Sequence, residues 1–145
     1  MISFTTEVSI ERPIDDVFDV LVDFERYLAR WAAGPSGVVR ETEVPMGLGS
    51  RLTVTARVGP LRVHSPYEVT LFERPLRFGG RGSAGPVRFD EMYVLTATPA
   101  GTDVAQTISA VPRGPFRLIE RLVDRQLRRL IRADLDRFRD LVTSL

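Results

Sequence analysis

The stretch VSIERPIDDVFDVLVDFERYLARW, residues 8–31, changes its hydrophobic period partway through. Val8 and Ile10 alternate with Ser9 and Glu11, the pattern of a half-buried strand. After Pro13, Ile14, Val17, Phe18, Leu21 and Val22 recur at helical spacing. Pro13 suits a first helical turn, where its missing N–H costs nothing. Asp15 and Asp16 then stand where the helix dipole favours negative charge. The spacing predicts a strand over residues 3–11, a short helix after Pro13, and a second short helix over residues 24–32 ended by Gly34-Pro35. The stretch closes on Trp31, the only tryptophan of the chain.

Downstream the period is two. VVRETEV, RLTVTARV, LRVHSPYEVTLFE, the glycine-rich LRFGGRG, VRFDEMYVLTAT and TDVAQTISAV read as strands. GLGS, Gly59-Pro60, Arg74-Pro75, SAGP and Pro99-Ala100-Gly101 separate them. PRGP (residues 112–115) then opens a long helix running almost to Leu145. Its apolar stripe is Phe116, Ile119, Val123, Leu127, Leu130, Ile131, Phe138 and Leu141. The expected class is α+β: one curved antiparallel sheet of six or seven strands gripping a C-terminal helix of about eight turns. Two short helices follow the first strand, and a single domain covers residues 1–145.

The totals agree with that reading and close other function classes. The 145 residues suit one domain that needs no metal or disulfide for stability. Without cysteine there is no disulfide, zinc-thiolate or thiol nucleophile. Net charge is +1, every basic residue is arginine, and nothing global points to nucleic acid. No apolar run approaches the ~20 residues that span a bilayer. The N-terminus MISFTTEVSI has no basic or apolar signal region, so a soluble cytoplasmic protein is expected.

Taken in order, TEVSIERPIDDVFDVLVDFERYLARW, GLGSRL, YEVTLFERPLRF, YVLTATPAGTDV and LIRADLDRFRDLV resemble the START-related helix-grip (SRPBCC) superfamily. That superfamily includes polyketide cyclases and dehydratases, lipid-transfer domains and coenzyme Q-binding proteins. The resemblance covers nearly the whole chain. It implies a cavity between sheet and last helix, lined by strand interiors and by the segment after the second helix.

Hairpin register selects the side chains that would face such a cavity. With Ala100-Gly101 as a two-residue turn, Ala97 pairs with Val104, Leu95 with Gln106, Tyr93 with Ile108 and Glu91 with Ala110. The apolar members of that phase face in, and Glu91, Tyr93, Gln106 and Ile108 go with them. Around Gly59-Pro60, Ala56 pairs with Val63, Val54 with Ser65 and Leu52 with Tyr67. A bulge at Pro66 would flip one of these. Tyr67, Val69 and Leu71 then point inward along one strand. The only histidine, His64, faces out opposite Thr55, which removes it from acid–base or metal chemistry. The cavity candidates are therefore Trp31, Leu52, Val54, Ser65, Tyr67, Val69, Glu91, Tyr93, Gln106 and Ile108, with Leu127, Leu130 and Asp134 from the last helix.

Asp134 stands in the middle of the apolar stripe, and a buried carboxylate is unusual unless paired. The structural reading gives it an inward arginine, with Arg40 as the candidate, and predicts that Asp134→Asn costs roughly 3–5 kcal/mol. The functional reading makes it a ligand contact or a general acid. On the outward face of the same helix run Arg121, Arg125, Arg128, Arg129, Arg132 and Arg139, partly balanced by Asp124, Asp136 and Asp140. They form either a solvated face or a docking face for an anionic membrane or an acidic partner.

Two readings of function rest on the cavity, beside a third in which the Arg face docks a protein or a membrane. The first is a carrier, sequestering or sensing module for a small, largely hydrophobic molecule such as a lipid, a polyketide or an aromatic. The alternative is a cyclase/dehydratase-type lyase or isomerase acting on such a molecule in the same cavity. Neither uses a metal or cofactor. The resemblance to aromatase-cyclases implies an inward arginine on the strand after the central hairpin. This sequence offers Tyr67, Val69 and Leu71 there, which weighs against the enzyme.

Overall fold

The computed structural model describes residues 1–33, 35–42, 45–58, 60–84 and 87–145, excepting the side chains of residues 36, 57, 58 and 84. Strand β1 (Ile2–Ile10) leads into helices α1 (Ile14–Val22) and α2 (Phe24–Trp31). Six strands follow: β2 (Pro35–Arg40), β3 (Arg51–Val58), β4 (Leu61–Glu73), β5 (Arg77–Ala84), β6 (Val87–Thr98) and β7 (Gly101–Pro112). A 3₁₀ segment (Gly114–Ile119) then precedes helix α3 (Glu120–Ser144). All strand pairs are antiparallel, in the order β1-β7-β6-β5-β4-β3-β2. This is the expected helix-grip arrangement.

Helix α1 begins after Pro13 with Asp15 and Asp16 in its first turn, as the dipole argument requires. Asp23 ends α1 and caps α2, its Oδ1 accepting from the Arg26 N–H at 3.3 Å. One residue thus turns the chain between the helices. Strand β1 alternates without a break, with Ile2, Phe4, Thr6, Val8 and Ile10 all inward and buried.

Two elements differ clearly in extent from expectation. The strand read over residues 38–44 is β2, Pro35–Arg40, and Glu43 and Val44 lie outside the described residues. So do Gly34, Gly59, Gly85 and Pro86 of the expected helix stop and turns. The last helix gives up its first turns to the 3₁₀ segment and keeps 25 residues, about seven turns.

The β3–β4 register is the expected one: Ala56↔Val63, Val54↔Ser65 and Leu52↔Tyr67. His64 is exposed, its Nδ1 3.0 Å from Thr55 Oγ1. The β6–β7 turn, by contrast, sits one residue earlier than expected. Thr98 pairs with Gly101, so Tyr93 lies opposite Gln106 and Glu91 opposite Ile108. Gly101 dictates this. A Cβ there would stand 2.1 Å from the Ile10 carbonyl oxygen, at a φ of +155°, so the end of β1 leaves room only for glycine. Moving the turn by one residue shifts each partner by two and leaves every inward residue inward. In β4 the register slips between Val69 and Leu71, not at Pro66. The extra residue there puts Phe72, rather than Leu71, into the core against Phe18, with ring centroids 5.5 Å apart.

The core is in two parts. The larger joins α1, α2 and the inner sheet face to Leu135, Phe138, Leu141 and Val142 of α3. The smaller holds Ile2, Phe4, Val87, Ile108 and Ala110 beneath Val123, Leu127 and Ile131. The C-terminal half of α3 is therefore packed, whereas Leu122 and Leu130 in its first half stay partly exposed.

Candidate functional site

Beside the first half of α3 lies a cavity of about 950 Å³. Its walls are largely apolar. Val54, Ser65, Tyr67, Glu91, Tyr93, Gln106 and Ile108 line it from the sheet. Leu127, Leu130 and Asp134 line it from α3, and Trp31 from α2. Leu52 and Val69 do not reach it. Both are fully buried in the larger core, in one cluster with Phe24, Leu28 and Trp31 of α2. The cavity also takes Phe24 and Leu28 from α2 and Phe89 from β6. Signals for these were present. Phe24, Leu28 and Trp31 share one helical face, and Phe89 shares the phase of Glu91.

A polar cluster sits in the sheet wall. Tyr67 Oη donates to Glu91 Oε1 at 2.6 Å. Tyr93 Oη reaches Glu91 Oε2 at 3.4 Å. Gln106 Nε2 donates to Tyr93 Oη at 2.9 Å and to Glu91 Oε2 at 3.3 Å. The sequence explains the cluster. Glu91, Tyr93 and Gln106 share the inward face of neighbouring strands, and Tyr67 reaches them across Gly80 and Gly82 of β5. A Cβ on Gly80 would stand 2.1 Å from Tyr67 Oη. The ring of Tyr67 lies 5.2 Å from that of Phe24, and Phe78 packs between Phe24 and Tyr93. Two buried polar atoms of the wall residues lack a partner among the described residues, Trp31 Nε1 and Gln106 Oε1.

Burial pushes the Glu91 carboxyl up to about 7, against the hydrogen bonds from Tyr67, Tyr93 and Gln106, which favour its charged form. Burial, with the nearby Glu91 charge, also pushes both phenols well up. Glu91 therefore exchanges its proton near neutrality, while the tyrosines remain hydrogen-bond donors. A pH dependence follows. Between 4.5, the ordinary value, and about 7 the folded protein keeps a proton that the unfolded chain has released. Stability is then greatest below that window and falls as pH rises through it. Asp134 acts in the same sense, between 3.8 and about 6. Urea unfolding should show a loss of about 3–4 kcal/mol between about pH 5 and about pH 8, of which Glu91→Gln should remove the larger share, about 2–3 kcal/mol. A stability that rises over this range would refute the assignment.

Asp134 is 6% exposed, and its partner is not Arg40. Its Oδ1 accepts from the Ala33 backbone N–H at 2.9 Å and pairs with Arg137, three residues on in the same helix. Arg137 Nε in turn donates to the Trp31 carbonyl at 2.9 Å. Together they clamp the end of α2 onto α3. Arg40 instead pairs with Glu25, Nη2 to Oε1 at 2.5 Å. Burial raises the Asp134 carboxyl to about 6, opposed by the Ala33 N–H and by Arg137. The Arg137 side chain is 44% exposed, so removing the Asp134 charge leaves no buried cation behind. This lowers the expected cost of Asp134→Asn to about 1 kcal/mol, because the amide oxygen still accepts from Ala33. Asp134→Ala leaves that N–H unpaired and should cost about 1–3 kcal/mol. Thermal melts that rank alanine above asparagine would contradict this.

On the outer face of α3 the arginines divide. Arg128 Nε meets Asp124 at 2.7 Å, and Arg139 lies 3.5 Å from Asp136 and 3.3 Å from Asp140. Arg132 donates to the Glu7 carbonyl at 2.8 Å. Arg129 borders the cavity. Among the described residues, no group of three or more His, Asp or Glu side chains is placed to hold a metal, and no helix is long and apolar enough to cross a membrane.

The architecture is similar to that of TTHA0849 from Thermus thermophilus, with a TM-score of 0.78 at 19% identity over 98% of this chain and 97% of that one. Ara h 8.0201 gives a TM-score of 0.73 at 13% identity, over 99% and 98%. The di-domain ARO/CYC protein BexL from the BE-7585A biosynthetic pathway gives 0.75 at 18% identity. The match covers 95% of this chain but 48% of BexL, so this chain spans about half its length. At these identities the likeness establishes the fold alone. No curated protein matches the sequence significantly. The profile of the family described as "Polyketide cyclase / dehydrase and lipid transport" matches residues 1–143. With that match over nearly its whole length, the chain belongs to the polyketide cyclase / dehydrase and lipid transport family.

Proposed function

We propose that this protein binds one small, largely hydrophobic molecule in the cavity between sheet and α3, as a carrier, sequestering or sensing module. The carrying observation is the cavity itself: about 950 Å³, mainly apolar, with one cluster of polar side chains in its wall. The aliphatic and aromatic walls suit the body of a lipid, polyketide or aromatic molecule. Tyr67, Glu91, Tyr93 and Gln106 suit a single polar group at one end of it. Native mass spectrometry of the purified protein tests the reading by detecting a co-purified small molecule. Displacement of anilinonaphthalene sulfonate fluorescence tests it independently. Ala56 lines the cavity, so Ala56→Trp fills it and should weaken dye binding by about tenfold or more. Absence of both a co-purified molecule and cavity-dependent dye binding would overturn the proposal.

One observation favours the enzyme as a second reading. Glu91 titrates near neutrality and accepts a hydrogen bond from Tyr67, the pairing that general acid–base work requires. A cyclase/dehydratase-type reaction would then show as loss of water or ring closure in the bound molecule. Glu91→Gln would abolish turnover and keep binding. An unchanged co-purified molecule after prolonged incubation with wild-type protein supports the binding module instead.

A further inference from the structure

The 3₁₀ segment and the first half of α3 carry two rows of side chains that the cavity explains only in part: Leu122, Leu130 and Arg129 line it, whereas Leu118, Arg117, Arg121 and Arg125 do not. Arg117, Arg121, Arg125 and Arg129 recur every fourth residue, and Leu118, Leu122 and Leu130 each follow one residue later, with Gln126 interrupting. Within α3 such spacing sets Arg121, Arg125 and Arg129 along one row and Leu122 and Leu130 along a second, about 100° round the helix, with Arg117 and Leu118 preceding them in the 3₁₀ segment. Leu118 is 89% exposed, Leu122 50% and Leu130 40%. Leu118 lines no part of the cavity, so ligand burial does not account for it.

The charge here is uncompensated. Residues 113–129 hold six arginines against Glu120 and Asp124, in a chain whose net charge is only +1. Both carboxylates are already engaged, Glu120 by the Met1 amino group at 2.5 Å and Asp124 by Arg128. Among the described residues, Arg117, Arg121, Arg125 and Arg129 make no ion pair.

We infer that this edge docks on an anionic phospholipid surface, the arginines meeting lipid phosphates and Leu118 and Leu122 entering the interface. The two rows choose the partner. Exposed leucines have no use on a nucleic acid, and facing arginine rows would repel a second copy. A bilayer with anionic headgroups accepts both rows together. Phe116, Ile119 and Leu122 of this edge also border the cavity, so docking sets its mouth against the lipid.

Co-sedimentation with phosphatidylcholine vesicles, with and without phosphatidylglycerol, tests the inference. Binding is expected to the anionic vesicles only, and to weaken as salt rises. Arg121→Glu combined with Arg125→Glu should lower the affinity by about tenfold or more, and Leu118→Ser by about threefold or more. These side chains are exposed, so a circular dichroism melt should remain as in wild type. Ala56→Trp, which blocks the cavity, should bind vesicles normally, which separates this surface from the cavity reading. Absence of binding to anionic vesicles at low salt would overturn the inference. Tight binding to heparin that is indifferent to Leu118→Ser would also overturn it, in favour of an acidic macromolecular partner. A concentration-dependent dimer lost in Leu118→Ser would overturn it in favour of self-association.

Discussion

Replacing Gly80 with alanine is expected to unseat Tyr67 and to cost about 3–5 kcal/mol of stability. The added Cβ would fall 2.1 Å from Oη and 2.2 Å from Cζ of the tyrosine, well inside contact distance. The ring has little room to give way. Phe24 packs against it with centroids 5.2 Å apart, and Phe24 is itself held on Phe78 at 5.5 Å. Overpacking a core in this way costs about 1–3 kcal/mol. Losing the 2.6 Å hydrogen bond adds a buried carboxyl oxygen without its donor, at about 1–3 kcal/mol more. Urea unfolding gives the stability change, and near-ultraviolet circular dichroism reports the tyrosine environment. A variant within about 1 kcal/mol of wild type would mean that Tyr67 moves freely and that the polar cluster is not held rigidly.

Phe138→Ala is expected to cost a comparable amount, about 3–5 kcal/mol, and to lower Tm by roughly 8–15 °C. Phe138 is fully buried and meets Trp31 edge-on with ring centroids 5.0 Å apart. Its removal leaves a void where α1, α2 and α3 converge, and the rigid backbone of three helices closes such a void poorly. Trp31 is the only tryptophan, so its fluorescence reports the change directly. Leu130→Ala on the same helix should cost less than about 1 kcal/mol, since that leucine is 40% exposed. Equal losses at the two positions would show that α3 is anchored uniformly, contrary to the division of the core.

The fold was legible because its signals are periodic. The switch from period two to helical spacing at Pro13 located β1 and α1, and alternation carried the sheet. Faces proved more robust than partners. The β6–β7 turn was displaced by one residue, yet Glu91, Tyr93 and Gln106 kept their side of the sheet because pairing moves in steps of two. What alternation cannot see is a local event set by tertiary contact. The bulge that turns Phe72 inward in place of Leu71 depends on the neighbouring strand. The need for glycine at position 101 depends on the carbonyl of Ile10, distant in sequence. Leu52 and Val69 share the inward phase of Val54 and Tyr67 but fall into the larger core, and alternation alone does not tell a core position from a cavity one. Asp134 stood out as a buried acid in an apolar stripe. Its partner, Arg137, was harder to name, because an i,i+3 pair becomes an inward clamp only once α2 packs against that turn.

Helix α3 is continuous in its backbone hydrogen bonding but not in what covers it: its C-terminal half is sealed in the larger core, whereas its first half rests on the smaller one through Val123, Leu127 and Ile131 and otherwise borders the cavity and solvent. Such a rod has a gradient of local opening along one unbroken element. Amide protons of residues 135–142 should exchange with solvent only on global unfolding, and those of residues 121–127 through smaller, cheaper openings. Hydrogen exchange monitored by NMR would resolve the two halves, and uniform protection along the helix would refute the gradient. The end expected to open first is the one beside the cavity. A guest molecule could therefore enter and leave while the rest of the protein stays folded, and its residence time would be set by local helix dynamics rather than by global stability.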